Sequence, residues 1–291
     1  MSSPFFSVVI PTFNRFEFCS KAIDSVLRQN FTDFEIIVVD DCGRDSSYEN
    51  LLKKYLGNRK VSTIKNSQNL ERGASRNIGM NKAKGAYISF LDSDDTWEPD
   101  HLSTLKSEID NSRPCLLATK FTLESSTGEV NEHRDFSGIN NEVDFHFFLS
   151  GNPIACNFTV KNDLSKIVPF ENSKEFTGFE DWIFLFLNTI KHPLKVIDCV
   201  TVRMADHSDR SMRNEHAGLI RRRNNATKLI EERVTLTEAE LKKLHAGTNY
   251  FNSVHAYLGD FKNESFKYLL RSLRGGFNIN QAKQALRIAF F

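Results

Sequence analysis

Residues 85–97, GAYISFLDSDDTW, run from a stretch of apolar side chains directly into a cluster of aspartates. Such a run predicts a buried strand that ends at the carboxylates. Residues 35–41, EIIVVDD, repeat the pattern, and this second run ends at Asp40 and Asp41. In parallel sheets, ligands bind beyond the carboxyl ends of the strands. The two runs therefore place acidic side chains where such a sheet presents its ligand.

Strand and helix patterns alternate around these two runs. The predicted strands lie at residues 7–11, 35–40, 61–64 and 86–91, and the predicted helices at 18–27, 45–56 and 73–83. Strands separated by helices of this length indicate βαβ units in a mostly parallel sheet. We therefore predict an α/β fold with helices flanking the sheet.

The second half of the chain has a different pattern of predicted strands and helices. Strands are predicted at residues 115–121 and 154–160, a polar loop at 125–141 and a helix at 181–190. Beyond about Arg213 the pattern is helix after helix, with a break at the glycines 275–276. We expect a catalytic domain at residues 1–212, made of halves 1–97 and 98–212, and a C-terminal helical region at 213–291.

Composition excludes several classes of protein. Lys+Arg is 38 and Asp+Glu is 37 in 291 residues, which argues against a globally basic nucleic-acid binder. No apolar run approaches the ~20 residues of a membrane span, and no secretory signal pattern opens the chain. The five cysteines form no CxxC pair, which is typical of reduced thiols in a cytoplasmic protein.

The acidic runs themselves predict a cation site. Several carboxylates delivered into one cleft repel one another, and a bound Mg²⁺ or Mn²⁺ relieves that repulsion. The alternative is that these aspartates are solvated turn residues and helix caps. We prefer that alternative for Asp40 and Asp41 taken alone, and the cation site for the cluster at residues 92–95.

A third acidic element lies at residues 178–182, GFEDW. Glu180 and Asp181 begin a predicted helix, where a negative charge complements the helix dipole. The aromatic neighbours Phe179 and Trp182 add a second interpretation, because a carboxylate with reduced hydration is a better base.

These motifs together resemble family 2 glycosyltransferases. The matching segments follow one another in order over residues 5–190: 6–15, FSVVIPTFNR; 29–41, QNFTDFEIIVVDD; 73–79, GASRNIG; 85–97; and 178–182. The resemblance implies a GT-A fold, a nucleotide-diphosphate sugar donor, a divalent cation (Mn²⁺ or Mg²⁺) and inversion at the anomeric carbon. Among such donors, a UDP sugar is the one we favour. It also implies that a glycan or lipid-linked glycan is the acceptor, in the synthesis of a bacterial surface polysaccharide.

The resemblance also implies roles for individual residues. Asp181 would be the general base, with Glu180 beside it. Asp94 would be the direct metal ligand, with Asp92 as a second and His207 as a weaker candidate. The residues expected to bind the nucleotide sugar are Pro11, Thr12, Phe13, Asn14, Asp40, Asp41, Arg76, Asp92, Ser93, Asp94 and Asp95.

Two segments depart from the family pattern. The turn after the second strand is Asp40-Asp41-Cys42-Gly43 where relatives have Asp-Asp-Gly-Ser, which alters the turn but leaves the carboxylates. The histidine segment, residues 205–211, is also loose. His207 could contact the metal or be an ordinary loop residue, and Arg210 and Arg213 could neutralise the leaving diphosphate.

The C-terminal segment is basic and amphipathic. Lys267, Arg271 and Arg274 recur at helical spacing, and Glu264 is the one acid from residue 262 onward. A basic amphipathic helix is typical of a membrane-surface element. The alternative is a helix that packs its apolar face on the catalytic domain. We accordingly expect a cytoplasmic protein, peripheral to the inner membrane if the first alternative holds.

Two other function classes stay open. A nucleotidyltransferase could use the same kind of sheet and metal, but residues 11–14, PTFN, lack a glycine-rich phosphate loop. A non-catalytic sugar-nucleotide-binding module is the other alternative, and the presence of both Asp94 and Asp181 argues against it.

Overall fold

The computed structural model describes most of the chain, and its sheet and helices follow the α/β prediction. The strands among the described residues are β1 (Phe6–Thr12), β2 (Phe34–Asp40), β3 (Val61–Lys65), β4 (Tyr87–Phe90), β5 (Thr96–Trp97), β6 (Leu116–Ser125), β7 (Val130–His133), β8 (Asn141–Val143), β9 (Phe158–Lys161) and β10 (Leu194–Asp206). The described residues are 3–44, 46–125, 130–133, 141–207, 210, 212–276 and 279–290.

Helices follow most strands of the first half and make up the end of the chain. They are α1 (Phe16–Leu27), α2 (Ser47–Lys54), α3 (Glu71–Lys82), α4 (His101–Ser112), α5 (Glu180–Thr189), α6 (His216–Arg233), α7 (Glu238–Leu258), α8 (Lys262–Ser272) and α9 (Ile279–Phe290). Short 3₁₀ turns lie at Phe145–Phe148, Lys174–Phe176 and Leu273–Gly275.

The strands form one sheet in the order β3-β2-β1-β4-β9-β6-β10-β5, with β7 beside β6 and β8 beside β10. The first four strands of that order pair in parallel. Strand β1 is buried along its whole length and β2 along nearly all of it, which is why both read as continuous apolar runs. Thr12 lies opposite Asp40 in the register, so the carboxyl ends of β1 and β2 meet at one edge.

Helix α3 lies very close to β1. A Cβ on Gly79 would come within 2.3 Å of a Val9 methyl carbon, so a larger residue at this position would displace the helix. Arg76 lies one turn earlier in α3, on the same side as Gly79. This packing fixes the distance of α3 from β1 and thus the backbone position of Arg76.

By packing, the chain divides into two units. Unit 1 comprises residues 1–144, 154–174 and 188–207, and unit 2 comprises 145–153, 175–187 and 208–291. Most of helix α5 thus belongs with the C-terminal helices. The predicted domains, 1–212 and 213–291, stay a prediction, because packing units are not by themselves independently folding domains.

The structure corrects three details of the sequence-based prediction. The predicted loop at 125–141 contains strand β7, although residues 126–129 and 134–140 lie outside the described part. The strand predicted from residue 154 begins only at Phe158, because Ala155 has φ 58° and interrupts extended backbone. Residues 45–47, DSS, also predict a capped start for α2. Ser46 is at the N-cap position, but its side chain makes no capping hydrogen bond, and Asp45 lies outside the described residues.

Candidate active site

A tight turn after β4 brings three aspartates together. The backbone N–H of Asp95 donates to the carbonyl oxygen of Asp92 over 3.1 Å, and this bond closes the turn. One carboxylate oxygen each from Asp92, Asp94 and Asp95 lies within 4.8 Å of the others. We call these three residues the acidic cluster. Three hard oxygen donors at this spacing suit Mg²⁺ or Mn²⁺.

Asp94 is held by two groups from distant parts of unit 1. Arg15 Nη1 donates to Asp94 Oδ2 over 2.8 Å, and His207 Nε2 lies 3.0 Å from the same oxygen. Burial alone would raise the pKa of Asp94, but the Arg15 charge and the His207 hydrogen bond bring that pKa below its ordinary value. Asp94 is therefore an anion at neutral pH.

His207 itself is well fixed. Its ring stacks on Phe18, with the ring centroids 5.1 Å apart. Its other nitrogen, Nδ1, is buried and has no hydrogen-bond partner among the described residues. His207 contacts the acidic cluster through Nε2 and Asp94, and a nitrogen ligand added to its three carboxylates would fit a divalent transition metal.

Asp92 is paired with a buried cation. Arg76 Nη2 donates to Asp92 Oδ1 over 2.6 Å, and the Arg76 side chain is only 1% exposed. The guanidinium carbon lies 5.4 Å from the Phe170 ring centroid. Asp92 is therefore a counter-charge of the buried Arg76, and removing that carboxylate would break a buried ion pair, at a cost of about 3–5 kcal/mol.

Asp95 connects the acidic cluster to the neighbouring part of the sheet. Its Oδ1 accepts from the backbone N–H of Ala205 over 3.1 Å. Ala205 lies near the end of β10, two residues before His207. This bond explains how the end of β10 reaches the cluster.

The aspartates after β2 organise a loop. Asp41 Oδ1 accepts from the Asn66 amide over 2.9 Å and from the Leu70 N–H over 2.8 Å, and its Oδ2 accepts from the Glu71 N–H over 2.8 Å. Asp41 thus holds the start of α3. Asp40 accepts from the Gly43 N–H with both oxygens. The turn-and-cap role preferred for this pair taken alone is present in the structure.

Burial changes at the end of β1, between Thr12 and Phe13. Pro11 and Thr12 are buried in the strand, while Phe13 and Asn14 are exposed. Asn14 has φ 51°, and its side-chain oxygen accepts from the Arg44 N–H over 2.6 Å. Ser93 is buried within the turn of the acidic cluster.

In unit 2, Glu180 and Asp181 begin helix α5. Glu180 is buried, and its Oε2 accepts from the Gly178 N–H over 2.6 Å, so it holds the loop before the helix. Asp181 is half-buried. Its Oδ2 accepts from the Asn152 amide over 2.8 Å, and its Oδ1 accepts from the Trp182 N–H over 2.7 Å.

Arg223 of α6 supports this region of unit 2 from within. Its guanidinium carbon lies 3.6 Å from the Trp182 ring centroid, and its Nη2 donates to the Ser150 carbonyl over 3.1 Å. Burial lowers the pKa of Arg223 to about 9, so it is still a cation at neutral pH. Ser150 lies two residues before Asn152, so Arg223 and Asp181 hold opposite ends of one short segment.

The structure thus brings together the acidic cluster, Arg76 and His207 within unit 1, and Glu180 with Asp181 within unit 2. Sequence analysis assigned no role to Arg15, Asn66, Asn152 or Arg223. A cation just after the first strand was a usable signal for Arg15, because the acidic cluster needs counter-charge. Asn152 carried no such signal, since 29 residues separate it from Asp181.

Comparisons with known proteins identify the family of this chain. Residues 7–161, just over half of the chain, match the family described as Glycosyl transferase family 2. The chain belongs to this family. The matched region includes β1, β2, β4 and the whole acidic cluster. One relative is WcaA of Escherichia coli strain K12, provisionally named a colanic acid biosynthesis glycosyl transferase. It is 38% identical over 104 residues, which cover 35% of this chain and 37% of WcaA.

Solved structures show the same fold. The TarS structure of S. aureus, residues 1–349 in complex with UDP-GlcNAc, has a TM-score of 0.69 at 17% identity and covers 99% of this chain and 89% of that chain. The mannosyltransferase PcManGT of Pyrobaculum calidifontis, in complex with GDP-Man and Mn²⁺, has a TM-score of 0.62 at 14% identity and covers 99% and 81%. The fold is therefore of the GT-A type.

Proposed function

We propose that this protein is an inverting glycosyltransferase that moves a sugar from a nucleotide-diphosphate donor to an acceptor hydroxyl. A UDP sugar is the donor that we favour. We propose a glycan or lipid-linked glycan of a bacterial surface polysaccharide as the acceptor. The observation that carries the proposal is the acidic cluster at the carboxyl ends of parallel strands. Its three carboxylates lie within 4.8 Å of one another and inside the family's matched region.

The acidic cluster is the proposed site of a divalent cation, Mn²⁺ or Mg²⁺. Asp94 and Asp92 would hold the ion, and His207 would be a third ligand. When bound, the ion supplies positive charge that stabilises the departing diphosphate. The manganese in the similar PcManGT structure supports this assignment.

The donor would lie along the same edge of the sheet. In our proposal, residues 11–14 line the nucleoside pocket together with Asp40 and Asp41. Ser93 and Asp95 also belong to the binding site of the nucleotide sugar. The hydrogen bonds of Asp41 support an indirect role, because they keep α3 and hence Arg76 in place. Arg15 and Arg76 add positive charge beside a diphosphate.

Asp181 is the proposed general base. It takes the proton from the acceptor hydroxyl as that oxygen attacks the anomeric carbon of the sugar. The attack comes from the face opposite the bond to the diphosphate oxygen, and that bond breaks with its electron pair leaving on the nucleotide, so this single displacement inverts the configuration. The Asn152 hydrogen bond supports the role by orienting the Asp181 carboxylate. Glu180 would hold the loop before the helix.

We place the enzyme at the cytoplasmic face of the inner membrane. Its five cysteines are free thiols, which supports a reducing compartment. Within the described part of the chain, no helix is both long and apolar enough to cross a bilayer. An anionic membrane surface is the proposed partner of the C-terminal helices.

A panel of nucleotide sugars tests the proposal. Each candidate is added to purified protein with Mn²⁺, and both the melting temperature and donor hydrolysis are measured. A true donor stabilises the fold by RT ln(1 + [L]/Kd) and releases nucleoside diphosphate slowly. Failure of every sugar nucleotide to bind would contradict the proposal. Binding without hydrolysis or transfer would indicate a non-catalytic module, and pyrophosphate release would indicate a nucleotidyltransferase.

A further inference from the structure

Helix α8, with the 3₁₀ turn that follows it, carries three parallel stripes, each spaced at i, i+4 and i+7 and each offset from the next by one residue. The first stripe is buried, the second is apolar and exposed, and the third is basic and exposed. The inner stripe is Ser265, Leu269 and Ser272, the apolar stripe is Phe266, Leu270 and Leu273, and the basic stripe is Lys267, Arg271 and Arg274.

The apolar stripe does not behave like the core-facing side of an ordinary surface helix. Phe266 and Leu270 are each 50% exposed and Leu273 is 37% exposed, whereas two of the three residues of the inner stripe are serines. An amphipathic helix that packs on its own domain turns its apolar side inward. Helix α8 instead presents most of that side outward.

Helix α9 shows the same inversion. Ile279 and Leu286, seven residues apart and therefore on one face, are 69% and 58% exposed. Gln281 and Gln284 point inward and are almost fully buried. Lys283 and Arg287 are exposed.

The interior between α7, α8 and α9 is correspondingly polar. The Gln281 amide donates to the Ser272 carbonyl over 3.1 Å, and the Ser265 hydroxyl donates to the Ser253 carbonyl over 2.8 Å. The Gln284 amide reaches the same Ser253 carbonyl over 3.3 Å. These hydrogen bonds fix which face of each helix is inside, so the outward position of the apolar residues is built into the packing.

Exposed apolar side chains are concentrated in this part of unit 2. Of the fourteen large apolar residues that are exposed in the described chain, seven lie between Leu258 and Leu286. From Lys262 onward the sequence holds six basic residues and one acid, Glu264. A patch that is both apolar and basic matches the interfacial region of an anionic lipid bilayer, where tails meet negatively charged headgroups.

We propose that the outward faces of α8 and α9 form a membrane-docking surface. In it the apolar stripe, with Ile279 and Leu286, lies at the level where headgroups meet acyl chains, and the basic stripe contacts anionic headgroups. The helices lie in the plane of the interface and do not cross it. This inference deepens the membrane partner named under the proposed function, and it stands independently of the transfer reaction.

Vesicle binding tests the proposal in the full-length chain. Flotation is measured with vesicles of phosphatidylcholine alone and of phosphatidylcholine mixed with phosphatidylglycerol. We expect binding to the mixed vesicles that weakens as salt is raised. The triple variant Phe266→Gln/Leu270→Gln/Leu273→Gln should bind on the order of 10²-fold more weakly, because three side chains lose their apolar burial. Lys267→Gln/Arg271→Gln/Arg274→Gln should lose about fivefold per residue at low salt.

The matched control removes three exposed apolar residues from unit 1, as Leu52→Gln/Leu56→Gln/Ile190→Gln, and should bind vesicles like the wild type. Nucleotide binding with Mn²⁺, followed by melting temperature, should be unchanged in all three variants, which shows that they fold. Absence of binding to the mixed vesicles, or equal loss in the control, would overturn the proposal. So would a wild-type oligomer that the apolar-stripe variant dissociates without any vesicle binding, because the face would then be an interface between copies. Vesicle binding in a protein that binds no sugar nucleotide would refute the transferase and leave the docking surface standing.

Discussion

The acidic cluster of unit 1 and the start of α5 in unit 2 both present aspartates, but they are held in different ways. In the cluster, Asp94 and Asp92 each form an ion pair with an arginine, Arg15 and Arg76. At the start of α5, the hydrogen bonds described for Asp181 come from the Asn152 amide and a backbone N–H. Arginine charges compensate Asp94 and Asp92 in the cluster, and the two described hydrogen bonds orient the Asp181 carboxylate.

This difference matters because the two proposed tasks differ. Holding a cation and a diphosphate requires carboxylates that stay ionised, and the lowered pKa of Asp94 meets that requirement. Accepting a proton requires a carboxylate in a fixed direction that can still be protonated. The contrast supports a donor role for unit 1 and an acceptor role for Asp181.

The largest effect is expected from Asp94→Asn. This change keeps size and hydrogen bonding but removes the anion, so nucleotide binding should lose its dependence on Mn²⁺ and transfer should fall by about 10³-fold or more. Asp94 is a cleaner target than Asp92, whose loss breaks the ion pair with the buried Arg76. Transfer rates and metal titrations measure the effect. The control is Asp198→Asn, a strongly exposed carboxylate of β10. Full metal dependence in Asp94→Asn would remove this residue from the proposed site.

The next effect is expected from Asp181→Asn. Transfer should fall by about 10²–10⁴-fold, because the general base is lost while the side chain keeps its size. Steady-state kinetics measure the loss. Glu180→Gln is the matched variant and should cost less, since the buried Glu180 holds the Gly178 N–H. If Glu180→Gln proves the slower enzyme, the base must be reassigned.

A smaller effect is expected from Asn152→Ala. Asp181 keeps its basicity but loses the amide that orients it, so kcat should fall by roughly tenfold with the KM for donor unchanged. The pH profile of kcat should also shift, which a purely structural defect would not cause. A variant with wild-type kcat would show that the Asn152 amide is not needed to orient Asp181.

The smallest effect concerns stability in acid and compares one buried histidine from each of the two units. Burial lowers the pKa of His101 in unit 1 to about 3 and, with the charge of His216, that of His255 in unit 2 to about 4. Each pKa in the folded state lies below the ordinary value of 6.5. The stability that each neutral ring contributes is therefore fully present above pH 6.5. It is lost as the pH falls toward the pKa of the folded state. When the pH is lowered from 7 to 5, each of the two histidines should lower the free energy of unfolding by about 2 kcal/mol.

Denaturant unfolding at the two pH values checks this. His101→Asn keeps a polar partner for Thr201 but cannot titrate, so the difference between pH 7 and 5 should shrink by about 2 kcal/mol, leaving the share of His255. An unchanged pH dependence would show that His101 accepts a proton within the fold.

The parts of the fold that depend on local pattern were predictable. Strands β1, β2 and β4 read directly as apolar runs because they are largely buried, and their parallel pairing made the position of the acidic cluster a consequence of topology. Strand β10 was missed because its register shifts between Ile197 and Val202 break any regular alternation. Without β10, the contact of His207 with Asp94, 113 residues away, could only be suggested by resemblance.

The C-terminal helices show a second limit of sequence. Periodicity indicated that α8 is amphipathic, but it could not tell which side faces the protein. Leu269 is inside while Leu270 is outside, and the choice is made by the serines and glutamines that hydrogen-bond between the helices. Polar contacts between distant residues carry no periodic signal.

Calorimetry can test directly whether the acidic cluster binds the donor while Asp181 serves only the acceptor. Calorimetric titration of UDP with Mn²⁺ into Asp94→Asn and Asp181→Asn, side by side, measures donor-side affinity without any acceptor. We expect wild-type affinity in Asp181→Asn and loss of metal-dependent binding in Asp94→Asn. Loss of affinity in Asp181→Asn, or intact metal-dependent binding in Asp94→Asn, would contradict it.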